Sequence, residues 1–160
     1  MNPLLKPFVF IKMRLLPIFF LVTIAFETSA QSADVDHVVK DKRFTINVES
    51  MSPRKGGYRR LTTPYTFKVS PDTVVTDLPY MGRAYQAPMG TNDNGIKFLS
   101  KEFEYITKPG KKGVWEITLK LKDTRNYPMI NITLQPNGTA SIRMSPVDRE
   151  FISYGGTMAK

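Results

Sequence analysis

The chain has 160 residues, with 23 Lys and Arg against 14 Asp and Glu, one histidine, no cysteine and a formal net charge of +9. The missing cysteines exclude disulfide staples and thiolate metal sites, and one histidine excludes a multi-histidine site within a single chain. The length fits one domain behind a short leader.

Residues 1–30 read as a signal peptide. Lys6, Lys12 and Arg14 precede an apolar run, Leu15 to Phe26, broken only by Pro17 and Thr23. Thr28-Ser29-Ala30 then supplies the small residues of a cleavage site. The run is shorter than the ~20 apolar residues that span a bilayer. The expectation is cleavage before Gln31 and export to the periplasm or medium, with an uncleaved anchor as the alternative. Without cysteine the chain cannot be a lipoprotein.

Residues 31–42 are polar and aperiodic and predict a flexible N-terminal arm. Phe44, Ile46 and Val48 alternate with polar residues as a half-buried strand that ends at Ser52-Pro53. A basic loop follows, carrying Arg54, Lys55, Arg59 and Arg60 around Gly56, Gly57 and Tyr58. It could grip a phosphate or carboxylate, or be a solvated connection. Tyr65, Phe67 and Val69 form a second strand, and Ser70-Pro71-Asp72 turns into a third over 73–78, whose buried face Val74 and Val75 leave open.

Pro79 breaks that strand, because it cannot donate to a ladder. The corner Pro79-Tyr80-Met81-Gly82-Arg83-Ala84-Tyr85 follows, and residues 87–95 read as loop. Ile96 and Phe98 share one face, but Phe103 and Tyr105 fall in the opposite phase. A regular strand has a period of two, so the ladder must bulge or break at Leu99-Ser100-Lys101. After Pro109 to Gly113 comes the clearest strand, with Trp115, Ile117, Leu119 and Leu121 facing one way and Glu116, Thr118, Lys120 and Lys122 the other. Ile130 to Leu134, Ala140 to Met144 and a last strand over 149–154, ended by Gly155-Gly156, complete the pattern. The fold class is all-β: one antiparallel meander domain over residues 43–158, with about nine strands curved into a barrel-like sheet or a sandwich.

The ordered segments Val74 to Tyr85, Gly95 to Phe98, Phe103-Glu104-Tyr105, Trp115-Glu116-Ile117, Leu134 to Ala140 and Arg149 to Gly156 resemble the exported bacterial family called domain of unknown function 4251. The likeness spans roughly residues 40–158. It implies an exported single-domain β protein and supplies no activity or catalytic residue. Many relatives look like lipoproteins, a pattern from which this cysteine-free chain departs.

His37 sits in the predicted arm, where nothing would hold it for Ser-His-Asp chemistry. Asp77, Glu102, Glu104 and Glu116 could meet as a carboxylate pair, which keeps a hydrolase as the weakest alternative. No cofactor or metal ligand set is expected. Tyr80, Arg83, Tyr85, Arg149 and Tyr154 flank turns and breakers, where they either bind a ligand or satisfy carbonyls inside the fold. The expected function is a non-enzymatic binding module of the cell envelope, its ligand a glycan, a lipid or another hydrophobic molecule held in a cavity of the sheet. The alternative is a protein–protein interaction or inhibitor module acting through the basic loop. An exported basic protein points to an acidic glycan, an anionic lipid or an envelope protein as partner rather than nucleic acid.

Overall fold

The computed structural model describes residues 29–85 and 95–159. One helix, α1 (Ser29–Lys40), is followed by nine strands: β1 (Phe44–Pro53), β2 (Arg59–Val69), β3 (Val74–Leu78), β4 (Ile96–Ser100), β5 (Phe103–Pro109), β6 (Trp115–Leu121), β7 (Met129–Leu134), β8 (Thr139–Met144) and β9 (Ile152–Met158). All neighbouring pairs are antiparallel, in the order β4-β3-β2-β1-β9-β8-β7-β6-β5. The sheet is a nearly closed barrel, which decides between the two shapes that the strand pattern allowed.

Closure follows from the phase slip. β4 and β5 are the two ends of the strand order and are also consecutive in the chain, separated only by the bend at Lys101-Glu102. One half of this bent strand pairs with β3 and the other with β6. The Asp123 carboxylate clasps the bend. It accepts from the buried Ser100 hydroxyl at 2.5 Å and from the Lys101 and Glu102 N–H groups at 2.7 and 3.2 Å. The Ser100 bond first, and then the Lys101 backbone bond, hold the carboxyl below its ordinary value of 3.8. A depressed carboxyl contributes stability that is present above the unfolded pKa and lost as pH falls through the folded one. Asp123→Ala should therefore remove part of the stability lost on acidification below about pH 4, read as a shallower acid limb in denaturation midpoints.

The interior is filled by the alternating apolar positions. Ile46, Phe67, Leu78, Ile96, Ile117, Leu119, Ile130, Ile132, Leu134, Ile142, Met144 and Tyr154 are all under 2% exposed. In β3 the pattern resolves as Val74, Thr76 and Leu78 inward, with Val75 outward.

Several boundaries differ from the sequence expectation. The arm is not loose: α1 occupies 29–40, and Val35 and Val39 are buried against the core, with Val38 packed beside them. These valines form a one-turn stripe, too short to read as a helical period, yet enough once the barrel offers an apolar surface. Trp115 is half-buried rather than buried, and its indole N–H donates to Asp36 of α1 at 2.5 Å. Tyr105 donates to the Val39 carbonyl at 2.9 Å. The last strand is β9 over 152–158, not 149–154, and it runs through Gly155 and Gly156 instead of ending there. Their role is close approach: a Cβ on Gly156 would collide with the Asn47 carbonyl of β1. β2 begins at Arg59, so the basic loop shrinks to 54–58.

Candidate functional site

Two groups of residues were singled out by the sequence, and the barrel separates them. The first is the corner after β3. Pro79 turns the chain, and Tyr80 folds inward until it is 8% exposed. Its hydroxyl reaches the Glu150 carbonyl at 2.9 Å and the Arg83 carbonyl at 3.1 Å. Tyr154 projects from β9 to donate to the Pro79 carbonyl at 2.8 Å. Backbone bonds complete the seam: Tyr85 N–H donates to the Asp148 carbonyl, Glu150 N–H donates to the Arg83 carbonyl, and Ala84 bridges Arg149. Arg149 lies over the Tyr80 ring, 4.9 Å from its centroid, and forks onto the Asp148 carboxylate at 3.0 to 3.3 Å.

Burial pushes the Tyr80 phenol up, only partly opposed by Arg149, and burial likewise raises Tyr127 and Tyr154. Burial alone would lower Arg149, but the Asp148 bond and the neighbouring tyrosines outweigh it, so its guanidinium stays charged. The two neutral phenols of Tyr80 and Tyr154 and one paired guanidinium make a cross-brace between the corner and the segment around Arg149 to Tyr154. Gly82 is required here for space, not for a special backbone angle. A Cβ on it would come within 2.6 Å of Tyr80 Cζ. Of the five proposed ligand residues, Tyr80, Arg149 and Tyr154 are thus turned inward and paired, while Arg83 and Tyr85 are exposed. The Tyr80 and Tyr154 side chains are themselves buried in that part of the interior.

The second group lies on the outer surface at the β1–β2 hairpin. Arg54 and Lys55 are in the turn, Tyr58 is 71% exposed, and Arg59 and Arg60 pair across from Met51 and Ser50. Where β1 places only Glu49 between Val48 and Ser50, β2 places Leu61, Thr62, Thr63 and Pro64 between Arg60 and Tyr65. That bulge lifts β2 away from β3, which pairs only with Phe67 to Val69. An open depression remains, lined by Met51, Arg59, Leu61, Tyr65, Pro79 and Met81, with Arg59 Nη1 on the Met81 sulfur at 3.5 Å. Arg54 reaches back to Phe151, which Arg143 of β8 also contacts, at 5.8 and 4.4 Å from the ring centroid. Sequence patterning missed Arg143 and Phe151, since neither belongs to a local motif and only the β1–β9–β8 register brings them beside Arg54.

The candidate carboxylates do not converge. Asp77 pairs with Lys97 at 3.2 Å, and Glu104 pairs with Lys122 and Lys120 at 3.0 and 3.6 Å, on the outer face. The Lys122 hydrogen bond chiefly holds the Glu104 carboxyl below its ordinary value. His37 is on α1, exposed. Among the described residues there is no group of three His, Cys, Asp or Glu side chains able to hold a metal, and no helix is long and apolar enough to cross a membrane. Residues 1–28 of the proposed leader and the loop at 87–94 lie outside the described residues, while Ser29 and Ala30 open α1.

A family model described as "Domain of unknown function (DUF4251)" matches residues 27–158. The fold is similar to the crystal structure of a DUF4251 family protein from Bacteroides eggerthii DSM 20697. The TM-score is 0.62 and the identity 16%, over 82% of this chain and 91% of that one. No curated protein matches the sequence.

Proposed function

We propose, from the premise that this chain belongs to the DUF4251 family, that it is an exported, non-enzymatic binding module of the cell envelope that engages an acidic partner through its outer surface. The observation that carries this reading is a division of labour between the two groups of residues. The interior is occupied by Tyr80, Tyr154 and the apolar core, whereas Arg54, Lys55, Arg59, Arg60 and Tyr58 stand exposed on one hairpin. Tyrosines that are buried and bonded to backbone carbonyls favour surface recognition over the cavity-held lipid or hydrophobic ligand that the strand pattern also allowed. Clustered cations on one face favour association with an anionic surface, by steering and by local contact. The charge–apolar–small pattern of residues 1–30 supports export, and N-terminal sequencing of exported material should find Gln31 first.

The test changes Arg54, Lys55, Arg59 and Arg60 together to serine. The wild-type protein should bind poly-glutamate or a polyuronate with an affinity that falls steeply with salt, because exposed charges are screened within about 10 Å at 0.1 M ionic strength. The four-serine variant should lose that binding while its unfolding free energy stays within about 0.5 kcal/mol. Binding that persists in high salt, or that the variant retains, would count against the reading.

A further inference from the structure

Resting on that reading of the outer face, we infer that Arg54, Arg143 and Phe151 form a preorganised subsite for the carboxylate of an acidic polysaccharide. One guanidinium comes from the turn after β1 and the other from β8, and both reach the same ring. Among the described residues neither has a carboxylate partner. The ion pairs seen on the outer face join lysines to Asp77 and Glu104 instead. A guanidinium held by a ring keeps its N–H edge available, and its planar fork matches a carboxylate bidentately.

What distinguishes a sugar from an acidic peptide is the row beside this pair. The strand register aligns Ser52 of β1, Ser153 of β9, Arg143 of β8 and Asn131 of β7 on the outer face. Asn131 Oδ1 accepts from Thr118 of β6 at 3.1 Å, which leaves its amide N–H groups to point elsewhere. With neighbouring strands ~4.8 Å apart, the row from Ser52 to Asn131 extends about 14 Å. It offers hydroxyl and amide groups beside a cation pair and no acidic side chain. Ring hydroxyls need such donors and acceptors, and the uronate carboxylate needs the guanidiniums. An acidic peptide uses only the charges. Beyond Ser52 the row leaves the hairpin, since Ser153, Arg143 and Asn131 lie on β9, β8 and β7.

Purified wild-type protein is titrated with a polygalacturonate oligosaccharide, a neutral maltooligosaccharide and poly-glutamate. The expected result is polygalacturonate binding in preference to both others. Arg143→Ala and Asn131→Ala should each weaken polygalacturonate binding, Arg143→Ala by about tenfold or more, with poly-glutamate binding unchanged. Arg143→Lys should not restore it, because a lysine cannot form the fork. Circular dichroism and thermal midpoints confirm that the variants fold, both positions being on the exposed face. If the protein binds poly-glutamate but not polygalacturonate, or if Arg143→Ala weakens both equally, the sugar subsite is wrong while the acidic-partner reading stands. If no polyanion binds, both fail.

Discussion

Tyr80→Ala should lower the unfolding free energy by about 3 kcal/mol or more, as truncation of a buried aromatic does. The side chain is 8% exposed and carries three attachments at once. Its ring packs with the core and supports the Arg149 guanidinium, and its hydroxyl reaches the Glu150 and Arg83 carbonyls. Removing it empties a volume that Gly82 cannot fill and takes the aromatic face from a mostly buried charge. Tyr80→Phe should cost less, about 1 kcal/mol, because it loses only the hydroxyl bonds. Arg83→Ala is the contrasting case. Arg83 accepts through its backbone carbonyl, which alanine retains, and its side chain is exposed, so the cost should stay under about 0.5 kcal/mol. Urea denaturation of the three variants tests this together. A near-neutral Tyr80→Ala would show that the corner is not a brace.

Gly156→Ala should be of similar size and for the opposite reason, overfilling. Gly156 pairs with Val48 on one side and Ala140 on the other, where β1 bulges between Val48 and Ser50. The added methyl would meet the Asn47 carbonyl and come within 3.0 Å of Val48 Cα, both backbone. A flexible side chain could swing away, but a ladder strand can move only by separating from its neighbour. The expected cost is about 3 kcal/mol, at the upper end for overpacking. Loss of amide protection should be concentrated in β1 and β9. Gly155→Ala is a useful comparison, because its Cβ would meet the Ser50 hydroxyl at 2.8 Å, a side-chain atom able to rotate. It should cost less. Equal costs at the two positions would contradict the backbone argument.

These two results bear on function as well as stability. The brace joins residues 70 and 75 positions apart in sequence, through Tyr80 to Glu150 and Tyr154 to Pro79. It uses Tyr80, Arg149 and Tyr154 for architecture, and so moves the search for a ligand from the interior to the outer face. Charges on that exposed surface can vary without disturbing the packing beneath, so the hairpin and Arg143 variants are expected to leave folding intact.

By itself the sequence determined the strands and their inward faces. In a strand the side-chain period is two, so Phe44-Ile46-Val48 or Ile117-Leu119-Leu121 declare both their conformation and their buried side. It also determined that the ladder must bulge or break near Leu99-Ser100-Lys101, since no straight strand could bury both pairs. The structure keeps Leu99 and Ser100 in β4 and puts the break at Lys101-Glu102. Only the tertiary structure decided what that break does, closing the barrel by passing one bent strand from β3 to β6. It alone decided that α1 exists, because three valines make a helix worthwhile only against a surface supplied by the finished sheet. The fate of the corner and of Arg143 was equally illegible. A tyrosine near a turn has the same local pattern whether its hydroxyl meets water or a carbonyl seventy residues away. An arginine on a wet strand face becomes part of a pair only when the register sets Phe151 and Arg54 beside it. Local periodicity encodes which face of a strand is dry; partners across strands depend on register, which no single segment carries.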